Sequence, residues 1–166
     1  MGVVFWVHEG AEGEHLPPMA VVRRPRGGKH LAADLKELHA GGIRTLVSLL
    51  PEDEAIELGL SREDELSETA GMKFLSFPMV DHGVPRDTAA FRAFVVSLAV
   101  RLWSHEPIGV HCQASIGRST LVVACTLIHL GWQPAQALID IASARRHPVP
   151  DTEEQQEWIL RYEPEP

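Results

Sequence analysis

The sequence predicts an α/β fold with a central, mostly parallel sheet of four to five strands flanked by helices. Short apolar stretches alternate along the chain with longer segments in which apolar residues recur at helical spacing. In addition, the apolar stretch 107–110 leads through a polar loop into the apolar run 121–130, which ends at Gly131. A strand that passes into a buried helix in this way is typical of a parallel sheet.

Five stretches predict the strands, because they are short and apolar and are bounded by turn residues. These stretches are 3–7, 19–22, 43–50, 73–77 and 107–111. We expect the first at an edge of the sheet and 43–50 near its centre. The segment 8–18 is rich in Glu and Gly and ends in two prolines, so we predict a loop there.

The helices are predicted from apolar periodicity and from the residues that begin or end each segment. They cover 31–40, 51–70, 87–103, 121–130, 135–142 and 152–162. Gly41, Gly71 and Gly131 follow three of the predicted ends. Asp87 is a candidate N-cap, and Pro148 stops the helix that begins near residue 135.

The segment that follows the predicted central strand contains eight carboxylates. They are Glu52, Asp53, Glu54, Glu57, Glu63, Asp64, Glu65 and Glu68. Ser61, with acidic residues three and four positions later, resembles a helix-capping arrangement. We interpret the carboxylates as a solvated helical face rather than as a metal site, because charge runs of this kind are usually exposed.

Length and composition limit the protein class. The 166 residues suffice for one domain with its own core, and we expect residues 1–166 to form it. The two cysteines, Cys112 and Cys125, make no disulfide framework and suggest a reducing compartment. We expect no signal peptide and no membrane span. The net charge of −8 argues against nucleic acid and anionic membranes, so we expect a cytoplasmic monomer.

The loop between the last predicted strand and the helix 121–130 contains Cys112 and Arg118, with five residues between them. Backbone N–H groups and the positive end of the helix dipole converge at such a place, so it favours anions. A thiol there loses its proton more readily than a free cysteine does. Arg118 supplies a planar fork of donors that matches two oxygens of a phosphate. The loop therefore predicts a thiolate nucleophile that faces a bound phosphoryl group.

His111, Cys112, Arg118 and Ser119 match the pattern H-C-x5-R-[ST]. The loop thereby resembles the phosphate-binding loop of the protein tyrosine phosphatase superfamily, whose compact dual-specificity branch is the closer match. The resemblance implies a cysteine-dependent phosphatase fold, a metal-independent reaction without a cofactor, and phosphotyrosine, phosphoserine or phosphothreonine as substrate.

Other segments extend the resemblance over nearly the whole chain. Residues 77–85 are similar to the branch's general-acid loop, and 151–155 to a short C-terminal motif of its small, atypical members. Residues 4–7 and 43–49 are similar to two of its strands. Only the Cys–Arg loop is specific by itself.

The resemblance also implies a role for individual residues. Cys112 is the expected nucleophile, which forms a cysteinyl-phosphate, and Arg118 binds the phosphate oxygens. Asp81 is the expected general acid. Ser119 is expected to hydrogen-bond the sulfur and help it leave.

Supporting roles fall to the rest of the loop and to two further residues. Backbone N–H groups of the loop are expected to bind the remaining phosphate oxygens. The loop residues concerned are Gln113, Ala114, Ser115, Ile116 and Gly117. His111 is expected to hold the loop and tune the thiolate, and Gln155 to orient the hydrolytic water.

Several of these roles have alternatives. Asp81 also suits an Asx turn, and His82 beside it is a rival acid. Ser119 is compatible with a helix N-cap. Gln155 is compatible with an ordinary exposed helix residue, and Gln156 replaces it if the alignment shifts by one position.

Two features of the sequence leave questions for the structure. The family usually has glycine where this chain has Ser115, and serine is strained there if the position needs a positive φ. The segment 23–29 is the basic run of the chain. It is either a solvated loop or a rim that attracts an acidic substrate or a second phosphate.

The expected partner is a phosphoprotein or a small phosphorylated metabolite. The chain has little room for segments that deepen a phosphotyrosine pocket, so we expect a shallow one. Residues 113–116 carry no charge, which disfavours polyphosphoinositides. The alternatives are a pseudophosphatase that only binds phosphate and a rhodanese-type sulfur transferase, which has no use for Asp81 or Gln155.

Overall fold

The computed structural model describes residues 2–8 and 17–164. Within them, five strands form one mixed sheet. The strands are β1 (Val4–Trp6), β2 (Met19–Val22), β3 (Thr45–Ser48), β4 (Lys73–Ser76) and β5 (Ile108–His111). Their order is β1-β2-β5-β3-β4, with β1 antiparallel to β2 and all other neighbours parallel. This confirms the predicted α/β fold, with its first strand at an edge.

Seven α-helices connect and cover the strands in the described part of the chain. They are α1 (Leu31–Ala40), α2 (Glu52–Glu57), α3 (Glu63–Thr69), α4 (Thr88–Trp103), α5 (Arg118–His129), α6 (Pro134–Arg145) and α7 (Glu153–Arg161). A short 3₁₀ turn, Gly28–His30, precedes α1. Every residue of β2, β3 and β5 is buried, so both faces of the central sheet are covered.

Local sequence explains where several helices begin. Asp87 caps α4 as predicted, because its Oδ1 accepts from the Ala90 N–H at 2.9 Å. Thr152 and Gln155 form a reciprocal capping box at the start of α7. The inner face of α4 then carries Phe91 and Val95, both fully buried, into contact with α5.

The acidic segment differs from the prediction. Residues 51–70 form two short helices, α2 and α3, with a turn at Gly59 between them. The residue that precedes α3 is Arg62 rather than Ser61, and it makes no side-chain capping bond. The prediction that all eight carboxylates are solvated is also wrong, because Glu63 is buried among the residues that α3 turns inward.

Parallel pairing brings the carboxyl ends of β3, β4 and β5 to one edge of the sheet. In this register Ser48 lies beside His111, the last residue of β5. The crevice outside the carboxyl ends of parallel strands is where ligands bind in open α/β sheets. The loop after β5 therefore lies at the position where a site is expected.

Two predictions concern chain that the structure covers only in part. Most of the predicted loop 8–18 lies outside the described residues, as do the last two residues of the predicted C-terminal tail. Within the described ranges, no helix has the length and apolar character that a membrane crossing needs.

Candidate active site

The cysteine of the loop lies between β5 and α5. His111 ends β5 and Arg118 begins α5, so the loop 112–117 lies at the positive N-terminal end of a buried helix. Cys112 is 3% exposed, and the Ser119 hydroxyl donates to its Sγ at 3.2 Å. Cys112 is thus buried at a helix N-terminus, with a hydroxyl group directed at its sulfur.

Cys125, the second cysteine, lies in an apolar environment that does not suit a nucleophile. It lies in the middle of α5, fully buried. Burial raises the pKa of the Cys125 thiol well above its usual range, because the apolar core disfavours the charged form. Of the two cysteines, the structure therefore offers only Cys112 a setting that suits a nucleophile.

The Arg118 guanidinium is 1% exposed and is held from two directions. Its Nη1 and Nη2 donate to the two carboxylate oxygens of Glu54 in α2, at 3.2 and 3.0 Å. Nη1 also donates to the Met79 carbonyl at 3.0 Å, and Nη2 lies 3.3 Å from Asp81 Oδ1. Nε is buried and has no hydrogen-bond partner. The site therefore contains one buried, charged donor that still lacks an acceptor.

Glu54 is a site residue that the sequence interpretation missed. It was included in the solvated acidic face, and that assignment is wrong because its carboxylate forms a bidentate pair with Arg118. No signal in the sequence separates Glu54 from Glu52 and Asp53 beside it. Its role depends on where the turn after β3 points α2.

The segment after β4 brings Asp81 to the same guanidinium. Asp81 Oδ2 lies 3.3 Å from His82 Nε2, and its Oδ1 accepts from the His82 backbone N–H at 2.9 Å. The structure thus places Asp81, rather than His82, against Arg118. His82 lies on the outer side with its ring 67% exposed and with a φ of 59°.

Three potential metal ligands meet beside the loop. Donor atoms of Asp81, His82 and Asp151 lie within 4.8 Å of one another. Asp81 is already paired with Arg118 and His82, whereas a cation would need these same oxygens. We therefore assign no metal to the cluster.

Ser115 has the positive φ that its position was suspected to require, at 57°. Its hydroxyl donates to the Val22 carbonyl at the end of β2, at 2.7 Å. A side chain in this region of backbone space is strained by about 1–3 kcal/mol. The hydrogen bond offsets part of that strain, and the loop closes with serine in place of glycine.

Arginines outside the loop hold its carbonyl oxygens. Arg145 of α6 donates through Nε to the Ser115 carbonyl at 2.9 Å, and Arg24 donates to the Gln113 carbonyl at 3.2 Å. Burial and the charge of Arg23 lower the pKa of Arg145. The guanidinium of Arg145 also stacks on Phe5, 4.5 Å from the ring centroid.

A groove of about 690 Å³ begins beside these arginines. Arg23, Arg145 and Arg146 line it together with Phe5 and Trp6. The basic run 23–29 is thus partly in contact with the loop, through Arg24, and partly on a groove beside it, through Arg23. Its interpretation as a rim that attracts an acidic substrate stays a prediction.

Gln155 is fully buried, so its interpretation as an exposed helix residue is wrong. Its Nε2 donates to the Gly83 carbonyl at 3.1 Å, in the loop that contains Asp81. A side chain at Gly117 would come within 3.0 Å of the Gln155 amide, so the glycine permits α7 to approach the cysteine loop. Gln156 is exposed and takes no part in these contacts.

His111 is held by a residue that the sequence interpretation also missed. Its Nδ1 lies 3.0 Å from the Cys112 carbonyl oxygen, and its Nε2 lies 2.6 Å from Glu63 Oε2. A periodic signal exists for Glu63, because Leu66, Ser67 and Ala70 lie three, four and seven residues later on the same helix face. That face is the inner one.

Comparisons with known proteins bear on the family and the fold of this chain. The family model described as "Polymorphic toxin system, DSP-PTPase phosphatase" matches residues 20–132, more than half of the chain. "Protein tyrosine phosphatase domain-containing protein 1" of Danio rerio is 28% identical over 121 residues, which are 68% of this chain and 16% of that protein. "Probable protein tyrosine phosphatase type IVA A" of Dictyostelium discoideum is 32% identical over 80 residues, 48% of either chain.

The chain therefore spans about half or less of the length of these two relatives. A solved structure of kinase associated phosphatase, with its catalytic-site cysteine replaced by serine, superimposes with a TM-score of 0.77. The alignment covers 85% of this chain and 83% of that one at 22% identity, so it bears on the fold. By fold and by family model, this chain belongs to the protein tyrosine phosphatase superfamily, as a member of its small dual-specificity type.

Proposed function

We propose that this chain hydrolyses phosphate monoesters through a cysteinyl-phosphate intermediate, acting on phosphotyrosine and also on phosphoserine and phosphothreonine. The observation that carries the proposal is the Arg118 guanidinium. It is buried beside the cysteine loop, is fixed by Glu54, and keeps an Nε donor without an acceptor. A phosphate oxygen supplies that acceptor.

In the first step the Cys112 thiolate attacks phosphorus. The S–P bond forms while the bond from phosphorus to the leaving oxygen breaks, and Asp81 gives its proton to that oxygen. Arg118 and the loop N–H groups bind the equatorial oxygens, over which charge spreads in the transition state. Donors fixed before the reaction need no reorganisation during it.

In the second step water attacks the cysteinyl-phosphate. Asp81, now a carboxylate, takes a proton from the water, and the sulfur leaves as thiolate. The Ser119 hydroxyl stabilises the leaving sulfur by the hydrogen bond that it already makes. Gln155 keeps one amide hydrogen and one lone pair beyond its bonds to Gly83 and Thr152, and we assign these to the attacking water.

Asp81 must exchange partners during this cycle. Without phosphate its carboxylate lies against Arg118 Nη2. An arriving phosphate dianion competes for the same donor. Substrate binding thereby releases the Asp81 carboxyl group from Arg118, so that it can act on the leaving oxygen.

Phosphoproteins and small phosphorylated metabolites remain the two candidate substrates. We propose a shallow entrance, which admits phosphoserine and phosphothreonine as well as phosphotyrosine. The groove beside Arg23 and Arg145 supports a substrate with acidic groups near the phosphate. We further propose a cytoplasmic monomer, on the basis of its net charge of −8 and two cysteines.

The decisive experiment compares turnover with binding. We expect the protein to hydrolyse p-nitrophenyl phosphate without added metal and to be inhibited by vanadate. Cys112→Ser should abolish turnover, by analogy with other nucleophile removals, while a phosphotyrosine peptide still binds. Cys125→Ser is the matched control and should retain turnover if it folds. A wild-type protein that binds the phosphopeptide but hydrolyses no aryl phosphate would be a pseudophosphatase instead.

The substrate class needs its own measurement. Turnover should be compared across phosphotyrosine and phosphothreonine peptides, inositol phosphates and nucleotides. A peptide preference supports a protein phosphatase. A preference for one small compound over all peptides would replace it with a metabolite phosphatase.

A further inference from the structure

Glu63 forms a buried ion-pair contact that the proposed mechanism does not use. Glu63 is 3% exposed and His111 is fully buried, and Glu63 Oε2 lies 2.6 Å from His111 Nε2. Burial of a carboxylate is unfavourable unless it is paired, and a buried pair is weak evidence for stability. A contact of this kind, one residue from the nucleophile, calls for a functional explanation.

The hydrogen-bond partners determine how many protons the pair holds. His111 Nδ1 faces the Cys112 carbonyl oxygen, which can only accept, so Nδ1 carries a hydrogen. Nε2 faces a carboxylate oxygen, so one further proton lies between His111 and Glu63. The proton resides either on the ring, as an imidazolium–carboxylate pair, or on the carboxyl group.

We propose that Glu63 is a positioning residue that holds His111 as an imidazolium whose positive end faces the backbone of Cys112. The proposal deepens the cysteine-phosphatase function and rests on it. Glu63 bonds the end of the ring opposite to the Cys112 carbonyl, so the negative charge of the pair lies farther from the nucleophile than the positive one. The resulting dipole favours the thiolate.

The other cations of the site are engaged elsewhere. Glu54 and Asp81 both lie on the Arg118 guanidinium and offset its charge while phosphate is absent. Arg145 of α6 interacts electrostatically with Cys112, but it is half-buried and bonded to loop carbonyls. His111 adds a positive charge on the remaining side, from β5 itself.

The groups that face His111 and Glu63 are consistent with this assignment. Ser48 of β3, the registered neighbour of His111, carries no charge. Glu52 of α2 and Asp64 of α3 line the same groove of about 370 Å³ as Glu63. Both are exposed, so water and salt screen their charges. The Glu63 carboxylate is thus the only buried counter-charge that the described residues offer to the ring.

The first test measures Cys112 alkylation by iodoacetamide as a function of pH, without phosphate. Glu63→Gln keeps the size of the side chain but removes its charge. The midpoint of the alkylation profile should move upward, and at pH values well below both midpoints the alkylation rate should fall about tenfold for a shift of about one unit. Cys125 contributes little to the signal, because burial raises the pKa of its thiol.

Asp64→Asn is the matched control, because it removes the same charge from the adjacent, exposed position. It should leave the alkylation midpoint unchanged. A Glu63→Gln midpoint equal to that of the wild type would overturn the proposal. A purely structural role for Glu63 would change stability without moving the midpoint.

A second measurement needs no variant, in case Glu63→Gln does not fold. The ¹⁵N chemical shifts of the His111 ring should show both nitrogens protonated in the wild type at about pH 7, because an oxygen acceptor faces each of them. A neutral ring at that pH would overturn the proposal. Neither readout depends on turnover, so a failure of the phosphatase proposal on aryl phosphates would be seen separately.

Discussion

Ser115 combines a strained backbone with a hydrogen bond that compensates for it. Its φ of 57° favours glycine, while its hydroxyl bonds the Val22 carbonyl. The two effects act in opposite directions on stability. Substitutions at this residue separate them.

We expect Ser115→Ala to destabilise the protein by about 1–2 kcal/mol, because it keeps the strain and loses the hydrogen bond. Ser115→Gly loses the same bond but relieves the strain, so its stability should stay within about 1 kcal/mol of the wild type. Urea unfolding of the three proteins checks the order. An alanine variant as stable as the glycine variant would show that the backbone is not strained there.

Asp81 and His82 are neighbouring candidates for the general acid, and the contact to Arg118 favours Asp81. A general acid must be protonated, so activity falls as pH rises past the point where the acid loses its proton. Asp81→Asn should remove that limb of the pH–rate profile and lower kcat by about 10²–10⁴. His82→Ala should leave the limb in place, and its disappearance in His82→Ala alone would make the histidine the acid.

Among the secondary-structure elements, the short helix α2 fixes Arg118, and its sequence does not predict this contact. It presents Glu54 to both terminal nitrogens of Arg118, while Glu57 on the same helix is exposed. The guanidinium is therefore fixed by a second element before any phosphate arrives. Holding a catalytic group in its reactive orientation before the substrate binds lowers the entropic part of the activation barrier.

Glu54→Gln should lower kcat/KM for p-nitrophenyl phosphate about 10–100-fold, because one charge-assisted bond of about 1.5–3 kcal/mol is lost. The affinity for vanadate should fall in parallel, since we propose that Arg118 binds both compounds. Glu57→Gln changes the same charge on α2 and should leave both values unchanged. Equal effects of the two variants would point to a general charge effect on the acidic surface.

At the scale of the whole molecule, the sheet and the cysteine loop are coupled through β5. A Cβ at Gly109 would lie 2.7 Å from Val22 Cγ1 and 3.0 Å from Ile43 Cδ1. Val22 in turn provides the carbonyl that Ser115 binds. The close approach of β2 and β5 thus affects the distance between the sheet and the cysteine loop.

Gly109→Ala should destabilise the fold by about 1–3 kcal/mol through overpacking. It should also lower activity, because a displaced Val22 moves the anchor of Ser115. Gly83→Ala is a control for stability, since no atom outside its chain neighbours lies closer than 3.5 Å to the added carbon. Chemical denaturation measures the stability of both variants. An unchanged stability for Gly109→Ala would show that the side chains of Val22 and Ile43 relax freely.

Features that depend on neighbouring residues along the chain could be predicted from the sequence. Apolar periodicity and capping residues placed the strands and most helices, and the predicted strand–loop–helix unit around Cys112, Arg118 and Ser119 is confirmed. Asp87 was predicted as a cap because a cap bonds only its own helix. The family followed from the same loop.

Which acidic residues pair inside the protein depends on the tertiary structure. Glu54 looks like its exposed neighbours in the sequence, and only its helical spacing to later residues sets Glu63 apart. Both are paired because the turns after β3 and α2 direct them at Arg118 and His111. The partners are 64 and 48 residues away along the chain. Pairing over such distances depends on how several elements pack together, so the local sequence does not predict which residue becomes the partner.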